Sequence, residues 1–175
     1  MLGPNKALKL APTNIHEILE RVGTLLEAES KGRLNFERDY DPSIPEFKGD
    51  KEQLIQAFLN IARNAMEAAF ENQAGHSSEE PPTITFRTRT LRQFTIGNRR
   101  HKLVCRVDVI DNGPGIPPEL VQNIFYPMIS GRASGTGLGL SITQSIIGQH
   151  RGLVECESEP GRTDFIIFLP LEDTP

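Results

Sequence analysis

The segments Asp111-Asn112-Gly113-Pro114-Gly115-Ile116 and Gly135-Thr136-Gly137-Leu138-Gly139-Leu140 combine residue types that can hold a nucleotide. Six of the chain's 15 glycines lie between residues 111 and 139. Glycine serves where backbone takes positive φ or approaches a ligand with no Cβ in the way. A glycine run that enters a helix presents unpaired N–H groups and the positive end of the helix dipole, a setting suited to phosphate. A carboxylate buried at the end of a strand can accept a hydrogen bond from an exocyclic amine such as that of adenine. Together these pieces describe a pocket with Asp111 at the base end and residues 135–139 at the phosphate end. Taken one at a time, two ordinary glycine turns account for them equally well.

Spacing removes two common phosphate motifs. A P-loop closes its glycine run with Gly-Lys-Ser/Thr, and no lysine follows Lys102. The dinucleotide fingerprint G-x-G-x-x-G sits directly after a strand, whereas this G-x-G-x-G follows a long loop. Phosphate charge must therefore be met by backbone, arginine or a metal ion.

The other candidate chemistry lies on a helix. Asp50 is a good N-cap with Gln53 three residues on, a variant of the capping box. Leu54, Phe58, Ile61, Ala65 and Ala68 recur at helical spacing, and Ile55, Leu59, Ala62, Met66 and Ala69 widen the apolar arc. The remaining face carries Gln53, Gln56, Asn60, Arg63, Asn64 and Glu67. Asn60 and Asn64 point within about 40° of each other on a helix of 3.6 residues per turn. Asparagine costs up to about 0.7 kcal/mol relative to alanine in a helix. A merely solvated stripe and a functional pair both fit this pattern.

The elements that must position these residues follow from the same pattern. A helix is expected over 14–29, capped by Thr13 or Asn14, then a strand over 34–39, a proline-bearing link over 42–45 and the helix from Lys51 to Phe70. Residues 71–82 read as a loop, being polar and rich in breakers. Strands over 83–91 and 102–110 flank a turn at Gly97-Asn98. In the second, Val107, Val109 and Asp111 share one face. A short helix over 118–124, a helix over 138–149 and strands over 153–157 and 164–169 complete the pattern.

Four segments in this order resemble the motifs of the GHKL nucleotide-binding superfamily. Asn60-Ile61-Ala62-Arg63-Asn64-Ala65 resembles its N box, Ile124-Phe125-Tyr126-Pro127-Met128 its F box, and the two glycine segments its two glycine boxes. Within that superfamily the chain is similar to the catalytic ATP-binding domain of sensor histidine kinases. The run from Phe125 to Arg132, with its short loop into the second glycine box, resembles the nitrogen-regulation kinases of the NtrB type. The resemblance implies the Bergerat fold, an α/β two-layer sandwich of helices on a mixed, mostly antiparallel sheet. It implies a lead-in over 1–12 from a dimerisation domain that this chain lacks, a catalytic domain over 13–172, and a lid over about 113–135. The expected setting is a cytoplasmic two-component system.

The resemblance also implies roles. Asn64 supplies an amide oxygen to Mg²⁺, in keeping with the preference of that ion for oxygen ligands. ATP is then lined by Asn64, Asp111, Gly113, Gly115, Ile116, Ser130, Gly131, Gly135, Thr136, Gly137, Leu138, Gly139 and Thr163, the last at the entry to the final strand. Asn60 stands where ATP-hydrolysing branches carry a glutamate base, and an amide cannot take a proton at neutral pH. That departure favours a domain that keeps ATP intact until an acceptor arrives. Arg63 and Arg132 are the candidates for phosphate charge, with Arg132 on the lid. Phe125 suits lid packing, a docking surface or the core.

The phosphoacceptor of such kinases sits in a His-Glu-x-x-x-Pro helix. His16-Glu17 begins that way, but Ile18-Leu19-Glu20-Arg21 lacks the proline. The chain is expected to bind ATP, to need its dimerisation domain for autophosphorylation, and within a full kinase to address an NtrC-type response regulator. A non-catalytic ATP-dependent interaction module is the alternative. Arg87, Arg89, Arg92, Arg99, Arg100, Lys102 and Arg106 fall in a stretch with no acidic residue between Glu80 and Asp108. This is either a solvated hairpin or a dock for an acidic partner such as a PII-type signalling protein.

Composition bounds the rest. The 175 residues suit one core, and a net charge of −4 argues against general nucleic-acid binding. No apolar run approaches membrane-spanning length. Cys105 and Cys156 have no metal-ligand spacing, and reduced thiols are the simpler reading.

Overall fold

The chain builds, in order, β1 (Ala11–Thr13), α1 (Ile15–Ser30), β2 (Asn35–Asp39), β3 (Phe47–Gly49), α2 (Lys51–Gly75), β4 (Thr83–Ile96), β5 (Arg99–Asp111), α3 (Pro118–Val121), α4 (Gly137–Gln149), β6 (Leu153–Glu159) and β7 (Arg162–Pro170). The structure is a computed structural model that describes residues 7–75, 80–121 and 137–171. A five-stranded sheet runs in the order β2-β4-β5-β7-β6, and β1 pairs with β3 in a separate two-stranded sheet. Among the described strands β2 and β4 are parallel, and the other pairs are antiparallel. This is the mixed, mostly antiparallel sheet that the sequence predicts.

The helical layer covers one face of that sheet. Ile18, Leu19, Val22 and Leu26 of α1 and Leu54, Phe58, Ile61 and Ala65 of α2 join Ile146 and Ile147 of α4 over Phe86, Val107, Val109, Phe165 and Ile167. Each large side chain so buried contributes about 1.5–3 kcal/mol. At the N-terminus of α1, Asn14 is the cap, accepting the His16 N–H at 2.9 Å. His16 is a packing residue there, stacked on Tyr40 at 4.5 Å with Nε2 2.9 Å from Thr88 Oγ1. Burial lowers its pKa against the opposing charges of Asp41 and Glu20.

Several elements depart from the expected boundaries. Helix α2 continues through residues 71–75, read above as loop, and Asn72 Nδ2 donates to Asn112 O at 2.9 Å. A tertiary bond thus ties down a last turn whose polar composition resembles a loop. Strands β4 and β5 extend right up to the Gly97-Asn98 turn, with Gln93 at φ +53° inside β4. That kink breaks the alternation by which the strand ends would be read. Beyond it Phe94 stacks on Phe168 at 4.6 Å, and Ile96 joins the cluster of Val104, Ile166 and Phe168 on the outer sheet face. The three-residue strands β1 and β3 are too short for any periodicity to register.

Candidate nucleotide site

Asp50 and His150 set the alignment on which the site depends. Asp50 Oδ1 caps α2 by accepting the Gln53 N–H at 3.2 Å, and its Oδ2 accepts the Lys9 N–H at 2.9 Å. The Asp50 N–H donates to His150 Nε2 at 3.0 Å. His150 Nδ1 lies 2.9 Å from Ile146 O. An imidazole that accepts at Nε2 must carry its proton at Nδ1, so His150 is neutral, and burial lowers its pKa accordingly. Seven residues back from His150, Thr143 Oγ1 donates to Ala57 O at 3.2 Å, seven residues on from Asp50. The two contacts make α2 and α4 antiparallel. At a common rise of about 1.5 Å per residue, the first turn of α4 at Gly137, Leu138 and Gly139 comes beside Asn60 and Asn64.

Asn64 is buried and Asn60 half-buried. Asn64 Nδ2 donates to Asn60 O at 2.8 Å. Arg63 points elsewhere. It sits about 100° around the helix from Asn64, and its guanidinium meets Glu29 of α1 at 2.7 Å. Arg63, named above with Arg132 as a candidate for phosphate charge, is thus engaged by an ion pair with α1 in this structure.

The first glycine turn lies at the other end of α2. A Cβ on Gly113 would meet Ala68 Cβ and O at 2.7 Å, so only glycine lets the turn rest on the helix. Gly115 has φ +91°, and a Cβ there would meet Glu159 O at 2.4 Å. Asp111 is buried and accepts the Gly113 N–H at 2.8 Å. Asn112 pins the same turn, accepting from Thr83 N at 3.0 Å and donating to Pro81 O at 2.9 Å.

Strand register brings the base-end candidates together. Asp111 faces Thr163, and Thr163 faces Ser158, so the three side chains form a row on the helix-side face of β5, β7 and β6. Thr163 Oγ1 is 2.7 Å from Ser158 Oγ, which accepts the Ile116 N–H at 2.8 Å. Ser158 is the member that sequence reasoning missed. Its signal existed only as a register across the β6–β7 hairpin. Cys156, one row deeper, has its thiol raised to about 12 by burial and by Asp111, Asp164 and Glu157, so it is no nucleophile at neutral pH.

Ser130, Gly131, Arg132, Gly135 and Thr136 lie outside the described residues, as do the segment around Phe125 and most of the expected lid. Among the described residues no three His, Cys, Asp or Glu side chains gather to hold a metal. No described helix is long and apolar enough to cross a membrane.

Comparison with known proteins gives the family and the fold. Residues 49–173 match the family described as histidine kinase-, DNA gyrase B-, and HSP90-like ATPase. The sensory histidine kinase/phosphatase NtrB of Vibrio alginolyticus is 51% identical over 171 residues, covering 98% of this chain and 47% of that protein. NtrB of Salmonella typhimurium is 46% identical over the same 98% and 47%. The chain thus spans about half the length of the curated relatives it matches. Among solved structures, the nucleotide-free catalytic domain of histidine kinase ThkA superposes with a TM-score of 0.74 at 27% identity, covering 94% of this chain and 97% of that one.

Proposed function

The chain belongs to the histidine kinase-, DNA gyrase B-, and HSP90-like ATPase family, and from that premise we propose that it binds Mg-ATP and donates the γ-phosphoryl group to a histidine on a separate dimerisation domain. The observation that carries this reading is the convergence on one helix. Asn60 and Asn64 of α2 lie beside the start of α4, while Ala68 receives the glycine turn that follows buried Asp111.

Asp111 accepts the exocyclic amine of adenine, and Thr163 supplies a hydroxyl to the same base. Gly113, Gly115 and Ile116 line the nucleotide with backbone, and Gly137, Leu138 and Gly139 offer the N–H groups of a helix start to its phosphates. Ser130, Gly131, Gly135 and Thr136 complete the lining in this reading, and Arg132 brings charge to the γ-phosphate. The Asn64 amide oxygen is a hard donor suited to Mg²⁺, which would neutralise phosphate charge when bound. One amide oxygen with phosphate oxygens and waters would suit a site where the described residues gather no carboxylate cluster. In the transfer, an imidazole nitrogen of the acceptor forms a bond to Pγ as the Pγ–O bridge bond breaks and ADP leaves with the electron pair. Positioning and charge neutralisation are most of what the protein must supply. Asn60 cannot act as a base toward water, so the nucleotide waits for its acceptor.

We place the chain in a cytoplasmic nitrogen-regulation system with an NtrC-type response regulator, and the likeness to relatives named sensory histidine kinase/phosphatase NtrB supports the kinase part of that reading. The basic hairpin is partly absorbed by the fold. Arg87 and Arg89 pair with Asp39, and Arg106 pairs with Asp108. Arg92, Arg99, Arg100 and Lys102 are exposed toward the hairpin tip and would receive an acidic partner such as a PII-type signalling protein.

Calorimetry with ATP, with and without Mg²⁺, tests the reading. Wild type should bind, Asp111→Asn should lose at least about tenfold in affinity, and Asn64→Asp should change the magnesium dependence. Wild-type protein that binds no nucleotide would overturn the assignment and favour an interaction module.

A further inference from the structure

We infer that Ser158 is a positioning residue for base recognition, acting through Thr163. This rests on the ATP-binding reading above. The argument is one of hydrogen accounting. Ser158 Oγ accepts the Ile116 N–H at 2.8 Å and lies 2.7 Å from Thr163 Oγ1. A serine hydroxyl has one proton to give. Of the two directions open to the Ser158–Thr163 contact, donation from Ser158 to Thr163 Oγ1 is the one that leaves Thr163 a proton for a ligand, and it is the direction inferred. Thr163 then has its own proton to direct at an acceptor beyond the row.

The resulting chain runs from Ile116 N–H through Ser158 to Thr163, each bond polarising the next. It ends beside Asp111, the register partner of Thr163. The row therefore offers a purine both halves of a recognition pair, a carboxylate for its amine and an oriented hydroxyl donor for a ring nitrogen. Thr163 is buried and Ser158 half-buried, so water competes poorly for either hydroxyl.

The same contact ties base recognition to the glycine turn. Ile116 follows Gly115, whose positive φ and close approach to Glu159 seat the turn on the β6–β7 hairpin. The Gly161 N–H reaches Pro114 O at 3.4 Å from the same hairpin. Ser158 is the side chain through which turn position and Thr163 orientation are read together.

A double-mutant cycle on ATP affinity tests this, with Ser158→Ala, Thr163→Ala, the double variant and Ser158→Thr. Ser158→Ala should weaken ATP about tenfold, and Ser158→Thr, which keeps the hydroxyl, should stay within about twofold of wild type. Adding Ser158→Ala to Thr163→Ala should cost less than about twofold more, because the route through Thr163 is already gone. Fully additive losses, or a Ser158→Ala protein that binds ATP like wild type, would overturn the inference while leaving ATP binding intact. Failure of the wild type to bind would instead sink the ATP reading, and the inference with it. Should Ser158→Ala prove unfolded by circular dichroism, Ser158→Cys takes its place in the cycle, since its thiol is a far weaker partner at nearly the same volume.

Discussion

The most unusual residue chemistry outside the candidate site is the buried carboxyl pair of Asp108 and Asp164 on the outer face of the sheet. Arg106 clamps Asp108 with two bonds of 2.9 Å and holds its carboxylate below the ordinary range against burial. Asp164 has the opposite fate. Burial, its hydrogen bond to Asp108 and the charge of Asp108 raise it to about 8, with Arg162 3.9 Å away and Arg106 only partly offsetting them. Its Oδ1 is buried with no hydrogen-bond partner. The pair shares one proton at neutral pH, and Asp164 carries it. A folded pKa raised above the unfolded value of about 3.9 adds stability that is full below pH 4, declines as pH rises, and is gone above about 8. Asp164→Asn keeps a donor to Asp108 and cannot ionise. Its melting temperature should rise relative to wild type as pH climbs from 5 to 8; a difference that stays constant over that span would contradict the shared proton.

Among the elements, the pairing of α2 with α4 has the clearest physical device. His150 receives the Asp50 N–H only as a neutral imidazole, and protonation would place a donor against a donor. Because burial lowers the folded pKa of His150, its contribution is complete above the unfolded value near 6.5 and is lost as pH falls below it. His150→Ala orphans a buried N–H at the start of α2 and should cost about 1–3 kcal/mol at pH 7.5. Thermal melts of that variant should also depend less on pH between 7 and 5 than those of wild type. If the two slopes agree, the staple is not the titrating group. Since this contact aligns α4 with Asn60 and Asn64, the variant should lose ATP affinity along with stability.

For the whole molecule, the function argued above requires a second domain. Mixed with an NtrB-type dimerisation domain and labelled ATP, the chain should transfer phosphate to the acceptor histidine, giving an acid-labile, base-stable adduct. Alone it should show none. Asn64→Asp should slow the transfer at least about tenfold. An equal signal from the chain alone would refute the division of labour. Charge reversal at Arg99 and Arg100 should weaken binding of a PII-type protein by about tenfold without changing ATP affinity; unaltered binding would return the hairpin tip to ordinary solvated surface.

Much of this was legible in the sequence because it is local. The arc of Leu54, Phe58, Ile61 and Ala65 announces which face of α2 is buried, and so where Asn60 and Asn64 stand. Val107 and Val109 carry Asp111 to the core face by simple alternation. Gly113 and Gly115 mark a turn that no side chain would fit. What tertiary structure decided is nonlocal. The ion pair of Arg63 could not be read from its own helix, because Glu29 comes from another. The last turn of α2 depends on a bond to Asn112 O, 40 residues away, and Gln93 bends the hairpin where alternation would have continued. The row Ser158–Thr163–Asp111 exists only after three strands have taken their register. Periodicity reports which face of an element is buried; the atoms that meet across that face are set by packing between segments far apart in the chain.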